Sequence, residues 1–484
     1  MKTDQLEEIL KEEYQPPQED NAPVKTKKIE KKYYSADFEG LCDLVLENEE
    51  VKFLMLDGTL LDNKVINDKV FLPPNREKLA YDIPSYNNIR HGVTGVTGVS
   101  DVMEDGHVSK QDKELFENIR VFHEESAELP DPRLYTLITA WDIHTHILEH
   151  FGHSPIIFFA GLPEKGKSRM AKSMIAVARR GLIKASVSDA QIIREASDHG
   201  ATIFFDMTNF WLSIQKSGSE DVVLSRFERG LKVARVLNPE KGPFEDMTYF
   251  SVFGPTIIAS NDTIEQVLGS RTVTVVMKQS KKNFKKLVDL KRGRELRDQL
   301  VAFRMRHFNS ELPETEKIVS GRFGDIIKPL HQIVRFIRPD LEEEFIGLIK
   351  DLHKKRQENM SSTIEGELIQ AIRSLSTEVI NGMLAVKLIT NKLNEEKSDK
   401  EKSTYQRVGR RLDVMGYQKA RTSNGSSAIV WNEDTNLTLA IEHGVTDVEE
   451  TYGAPETPKT SETPEAPEGQ SIDIIGMTKD IFEI

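Results

Sequence analysis

The stretch "PIIFFAGLPEKGKSRMAKSMIAVA", Pro155–Ala178, decides the reading of this chain. Its first five residues form an apolar run of strand length. Then come Gly161, Leu162, Pro163, Glu164, Lys165, Gly166, Lys167, Ser168 and Arg169, followed by a segment with helical spacing. The spacing is Gly-x-x-x-x-Gly-Lys-Ser between a strand and a helix, the Walker A context of a phosphate-binding loop. Glycines let backbone N–H groups turn inward around phosphate oxygens. A helix beginning at the loop points its positive end at the same anion. Lys167 is placed to reach β and γ phosphates, and the Ser168 hydroxyl to ligate Mg²⁺.

Working outward, "ATIFFDMTNFW" (Ala201–Trp211) brings a second apolar run to a carboxylate, Asp206, about where the magnesium side of such a site belongs. "PTIIASND" ends a third run at Asn261, a side chain able to orient an attacking water. "LGSRTVTVVM" places Arg271 before a fourth, where a guanidinium neutralises charge on a transferred phosphoryl group, in its own chain or from a neighbouring subunit. Helical segments separate several of these runs. The order predicts an α/β domain with a largely parallel sheet.

This pattern resembles the AAA+ and superfamily-3-like P-loop ATPases. More closely, "LITAWDIHTHILEHFGHSPIIFFAGLPEKGKSRMAKSMIAVARRG" is similar to a poorly characterised ATPase domain of phage and mobile-element replication proteins. Trp141, Thr145, His146 and Pro155 match its Trp-containing helix, Thr-His end and proline. The resemblance spans about Leu134 to Arg338 and extends through "GRFGDIIKPLHQI" (Gly321–Ile333). It implies ATP and Mg²⁺ as cofactors, a helicase-like role in DNA replication, a homo-oligomeric ring, and Arg322 as a second phosphate-sensing arginine. One departure stands out: that family has Asp-Glu-x-Asp, and this chain has Asp206-Met207-Thr208-Asn209. Methionine is no general base. Asn209, Asn261, Glu164 and Glu228 are the alternatives for positioning water; otherwise ATP binds and turns over slowly. Arg226, Arg229 and Arg235 follow and are candidates for acting across a subunit interface, or for a solvated basic face.

Composition sets the wider frame. At 484 residues the chain is long enough for two to four domains. Cys42 is the single cysteine, which excludes an intrachain disulfide and a thiolate zinc cluster. There is no apolar run of membrane-helix length and no secretory h-region, so a cytoplasmic protein without a membrane partner is expected. The net charge is −13, but 13 acids and 2 lysines lie from Glu433 onward, so the acidity belongs mostly to one end. The expected organisation is a disordered leader (1–32), a small α+β unit and connector (33–112), the ATPase domain (113–348), a small domain (363–432) and an acidic disordered tail (433–484). The tail's apolar end, "DIIGMTKDIFEI", is a candidate docking peptide for a partner protein.

In the small domain, three helical segments precede "QKARTSNGSSAIVW", a hairpin with Asn424-Gly425 at its tip. Tyr405, Val408, Leu412 and Met415 form one apolar stripe, leaving Arg407, Arg410 and Arg411 off it. That is the outline of a winged helix, with Lys419 and Arg421 on the hairpin as further DNA contacts. A second basic stretch, 278–297, is either a nucleic-acid path or an exposed charged helix. Two other motifs carry no chemistry. "MLDGTLLDN" has Met55 where a phosphatase nucleophile would stand, and reads as a turn at Asp57-Gly58. His144, His146, His150 and His153 lie on a core-like helix, and read as satisfied histidines rather than zinc ligands.

Overall fold

The computed structural model describes residues 32–93, 108–262 and 264–445. The leader, but for Lys32, and the docking peptide lie outside them. The chain divides into two compact units, Met1–Lys350 and Asp351–Ile484.

The first unit begins with β1 (Lys32–Tyr34), β2 (Leu41–Glu47), β3 (Glu50–Met55), β4 (Leu60–Leu61), β5 (Lys64–Ile66) and β6 (Lys69–Leu72). β1, β6 and β5 make one small sheet, and β2, β3 and β4 another. The β3–β4 hairpin turns at Asp57-Gly58, where Gly58 has φ +84° and the Asp57 carboxylate accepts the Thr59 N–H at 2.9 Å. Three helices follow: α1 (Tyr86–Val93), α2 (Lys110–Ser126) and α3 (Leu134–His146). A Ser109–Asp112 capping box starts α2.

A sheet of parallel strands forms the centre. Its chain order is β7 (Ile156–Ala160), α4 (Lys167–Val177), β8 (Gly181–Lys184), α5 (Asp189–Ser197), β9 (Thr202–Asp206), α6 (Phe210–Ser217) and α7 (Glu220–Ser225). After a hairpin, β10 (Lys232–Val236) and β11 (Met247–Ser251), come β12 (Thr256–Ser260), α8 (Gln266–Gly269) and β13 (Thr272–Val276). Helices α9 (Leu290–His307), α10 (Gly321–Ile337) and α11 (Glu342–Ser361) follow. The five-stranded order is β13-β7-β12-β9-β8, all parallel. The α/β class expected from the sequence is therefore present. Ile157, Phe159, Phe204, Phe205, Ile257 and Ile258 are fully buried, as a sheet covered on both faces requires. The strand missing from the sequence reading is β8, "GLIK". It is a short edge strand whose Lys184 is neutralised by Glu195, so it carries no apolar run.

The N-terminal strands belong to the same compact unit as this sheet, where the sequence suggested a separate domain. Cys42, Val45 and Leu54 pack with Val301 and Ala302 of α9. Asp43 is 1% exposed and pairs with Arg179 at 3.2 Å and Arg180 at 2.7 Å. Burial opposes its charge, yet the Arg180 and Arg179 guanidiniums hold its carboxyl well below the usual range. An ion cluster this enclosed needs all its members, so the strands are tied to the sheet helices.

The second unit holds α12 (Ile364–Ser374), β14 (Met383–Ala385), α13 (Val386–Asn394), α14 (Tyr405–Val414), β15 (Lys419–Arg421), β16 (Ser427–Val430) and α15 (Glu433–Glu442). The strands form an antiparallel sheet in the order β14-β16-β15. Leu368, Ile372, Leu384, Ile389, Val408, Leu412 and Ile429 make its core. Three sequence expectations change here. "INGMLAVKLITNKL" is a strand and then a helix. Tyr405 is exposed, because it opens α14 directly after the Thr404 cap. The chain from Glu433 continues as a helix, with Ala440 and Asn436 buried. Its acids Glu433 and Asp434 occupy the first turn, where carboxylates favour a helix.

Candidate functional site

The carboxyl ends of β7, β9 and β12 meet at one edge of the central sheet, the usual place for a ligand in such a fold. A cavity of about 440 Å³ lies there, walled by the loop after β7 and the ends of β9 and β12. Gly161 has φ +139°, and a Cβ on it would stand 2.9 Å from the Met277 carbonyl oxygen, so no larger residue fits. Gly166, at φ +84°, caps α4 and leaves the first amides of that helix facing the cavity. Glu164 also adopts a left-handed conformation, at φ +64°.

Lys167 is 7% exposed, and its Nζ donates to the carbonyls of Gly161 and Leu162, each at 2.7 Å. Burial lowers its pKa, and Asp206 opposes that shift. The Ser168 hydroxyl donates to Asp206 Oδ1 at 2.6 Å. These are two hard oxygen atoms side by side, of the kind that could hold a Mg²⁺ ion. Among the described residues no group of three or more His, Cys, Asp or Glu is arranged to hold a metal. Lys165 Nζ is bonded to Gln279 Oε1 at 2.6 Å, and the Arg169 guanidinium is taken by the carbonyls of Ser126 and Lys286.

Backbone bonds lace β9 to β12. Met207 N–H donates to Ala259 O (3.2 Å), Asn261 N–H to Thr208 O (3.2 Å) and Ser260 Oγ to Thr208 O (2.8 Å). Asn261, Met207 and Thr208 therefore belong to the cavity wall, with Glu164 and Asp206 its carboxylates. Two sequence candidates are elsewhere. Asn209 is exposed at the start of α6, and Glu228 pairs through its backbone with His153, away from the cavity wall.

The arginines divide by position. Thr272 pairs with Ile156 at the start of β7, so Arg271 lies at the sheet edge opposite the phosphate loop. Five strand residues span ~17 Å, too far for Arg271 to reach the cavity of its own chain. Arg322 is beside it, not at the cavity: its guanidinium donates to Ser270 Oγ at 3.0 Å, and both arginines lie over the Phe227 ring. Burial lowers the Arg271 pKa, with Arg322 adding to the shift. Arg226 is fully buried and donates to Thr256 Oγ1 and to the carbonyls of Val252, Ala201 and Pro255. It locks the starts of β9 and β12 and cannot serve an interface. Arg235 is paired with Asp189 and Asp221, and Arg229 with the carbonyls of Phe151 and Leu148.

The histidines are structural. His146 Nε2 donates to Val177 O at 2.9 Å and His144 Nε2 contacts His153 O at 3.3 Å. Burial pushes His146 down to about 3 and His144 to about 4, so both are neutral. His123 bridges Ser173 (3.0 Å) and Asp142 (2.6 Å) in the arrangement of a hydrolytic triad, but all three side chains are fully buried and no substrate reaches them. In the basic stretch 278–297, Arg292 pairs with Glu125, Arg294 with Asp82 and Arg297 with Asp298, while the side chains of Lys278, Lys281, Lys282, Lys285 and Lys286 are exposed.

The β10–β11 hairpin was missed in the sequence. Its signal was two alternating runs, "KVARV" and "MTYFS", around "NPEKGP". It exposes Val236, Leu237, Met247 and Tyr249, and Phe244 is 99% exposed at φ +77°. In the second unit, Arg407, Arg410 and Arg421 are exposed, while Arg411 pairs with Glu365 and Lys419 with Asp413, each at 2.8 Å.

No protein-family profile and no curated protein matches the chain. Among solved structures it is similar to the C-terminal region of NrS-1 (10% identity over 77% of this chain and 82% of that one, TM-score 0.32). It is also similar to SCCmec type IV Cch, described as an active helicase (12%, 84% and 80%, TM-score 0.34). A third likeness is to an inhibitor-bound JCV helicase (11%, 55% and 65%, TM-score 0.23).

Proposed function

We propose that this chain binds Mg-ATP between the phosphate loop and Asp206 and uses its hydrolysis as a helicase-like motor on DNA, of the AAA+ or superfamily-3-like kind, in replication of a phage, plasmid or mobile element. The single observation that carries the reading is the Ser168–Asp206 contact at 2.6 Å, set beside a glycine-bounded loop whose Lys167 is buried. Lys167 and the α4 amides hold phosphate charge, Ser168 and Asp206 hold the magnesium ion, and Asn261 orients water. The ion neutralises phosphate charge when bound.

Arg271 and Arg322 serve the cavity of a neighbouring subunit in a ring, because their own cavity is at the far sheet edge. The second unit is a winged helix whose Arg407, Arg410 and Arg421 contact DNA phosphates, with Arg411 and Lys419 contributing less because each is already paired. Exposed Phe244 on the β10–β11 hairpin is a stacking platform for single-stranded bases. A second reading, a nucleotide-switched DNA-binding regulator or loader with little turnover, is favoured by Met207 in the cavity wall.

Phosphate release under Mg-ATP, with and without single-stranded DNA, separates the two. The motor requires DNA-stimulated turnover. It also requires that Lys167→Ala and Arg271→Ala chains, each inactive alone, recover activity when mixed. ATP binding with no turnover in any mixture favours the switch.

A further inference from the structure

Between β13 and α9 the chain runs from residue 277 to 289 with neither helix nor strand. It carries Lys278, Lys281, Lys282, Lys285 and Lys286, and no acid before Asp289. All five lysines are exposed, and among the described residues none of them forms an ion pair. A run of like charges repels itself, and left loose it spreads into solvent. Here the backbone is held. Met277 N–H donates to Ala160 O at 2.8 Å. The Glu128 carboxylate accepts the Ser280 hydroxyl (2.7 Å) and the amides of Lys281 (2.6 Å) and Lys282 (3.0 Å). Lys286 O accepts from the Arg169 guanidinium at 2.6 Å, and that guanidinium lies over the Phe284 ring, 5.2 Å from its centroid. Asp289 Oδ1 accepts the Arg292 N–H at 3.0 Å, which engages the one acid in capping α9. An anchored backbone with exposed ammonium groups is a positive track of fixed course.

The same segment is fastened to the wall of the phosphate-loop cavity. Lys165 and Arg169 both line that cavity. Gln279 Oε1 holds the Lys165 ammonium at 2.6 Å, and Lys286 O holds Arg169. We propose that residues 278–288 are a track for the phosphates of single-stranded DNA, and that a strand on the track is felt at the phosphate loop through Gln279 and the Lys286 carbonyl. Lysines meet phosphates as point charges, without regard to sequence. The segment offers no helix or ribbon to enter a duplex groove. A strand laid along it neutralises the repulsion among the lysines and fixes the segment, so Lys165 and Arg169 stay at the cavity wall. Mg-ATP then binds more tightly with DNA present, and DNA more tightly with Mg-ATP, by the same factor. The track stands by itself; the coupling rests on the reading of the cavity as a Mg-ATP site.

Anisotropy of a labelled oligodeoxythymidine, titrated with the full chain across a range of salt and without nucleotide, tests the track. Each neutralised phosphate adds about 0.7 to the slope of log affinity against log salt, so combined Lys281→Gln, Lys282→Gln and Lys285→Gln should lower the slope by about 2. These side chains are exposed and the anchors on Glu128 are backbone amides, so the fold is retained. The coupling is read as Mg-ATP affinity with and without saturating oligonucleotide. Wild type should gain about fivefold or more. Gln279→Ala should keep the wild-type salt slope and show a smaller gain. A wild-type slope in the triple variant overturns the track, as does displacement of the oligonucleotide by poly-aspartate at equal charge. No gain in wild type, or an equal gain in Gln279→Ala, overturns the coupling. If wild type binds no Mg-ATP, the nucleotide reading falls and takes the coupling with it, while the salt slope still decides the track.

Discussion

On the proposed reading, Met207 sits where a water-activating carboxylate would be expected, directly after Asp206 and in the wall of the cavity. Its thioether accepts no proton, and Glu228 and Asn209 lie outside the wall. On this reading, Glu164 and Asn261, both in the wall, are left to position the water, and charge neutralisation supplies much of phosphoryl-transfer catalysis. Met207→Glu adds a general base on the same backbone, so the hydrolysis rate should rise by about 10² with ATP affinity little changed. An unchanged or lower rate would mean that another group already activates the water. The place of Met207 in the cavity wall was legible from sequence, because an apolar strand ending in an acid puts the next residue at the mouth of the phosphate loop. The role of Arg226 was not. It looked like one of three basic residues on a helix, and only the fold shows it buried against four acceptors that would be left unpaired without it.

At the scale of elements, the strands of the β10–β11 hairpin bury only Val233, and Phe244 is its most exposed apolar side chain. Stacking of a base on an aromatic ring is worth about 1–3 kcal/mol, so Phe244→Ala should weaken single-stranded DNA binding by roughly five- to 100-fold and leave ATP binding intact. Fluorescence anisotropy with a labelled oligonucleotide checks this; equal affinities would remove the hairpin from the DNA path. The long apolar strands β7, β9, β12 and β13 were legible because both faces are buried. β8 and the hairpin were not, since an edge strand and a solvated hairpin carry short or alternating patterns. The split of "INGMLAVKLITNKL" into β14 and α13 was equally hidden, because a three-residue strand leaves no periodicity to read.

Over the whole molecule, buried neutral histidines set an acid limit on stability. His146 titrates at about 3 in the folded chain and near 6.5 when unfolded. Between those values the unfolded chain takes up a proton that the folded chain refuses. Stability therefore falls with acidification across that window, by about 1.4 kcal/mol per pH unit. His144 acts the same way down to about 4. Asp142 acts oppositely: burial raises it to about 6, so its protonation favours the fold between pH 6 and its unfolded value. The three partly cancel, but a difference between variants isolates one. His146→Gln should flatten the pH dependence of urea unfolding by one proton below pH 6.5, and parallel curves would contradict the buried neutral assignment.

The proposed nucleotide site rests most on Lys167, whose Nζ is held by the Gly161 and Leu162 carbonyls. Equilibrium binding of Mg-ATP to wild type and to Lys167→Ala tests it directly. Loss of a charge-assisted contact of about 1.5–3 kcal/mol predicts a 10- to 100-fold weaker complex in the variant. Equal affinity, or no binding by wild type, would contradict a nucleotide site between Gly161 and Asp206.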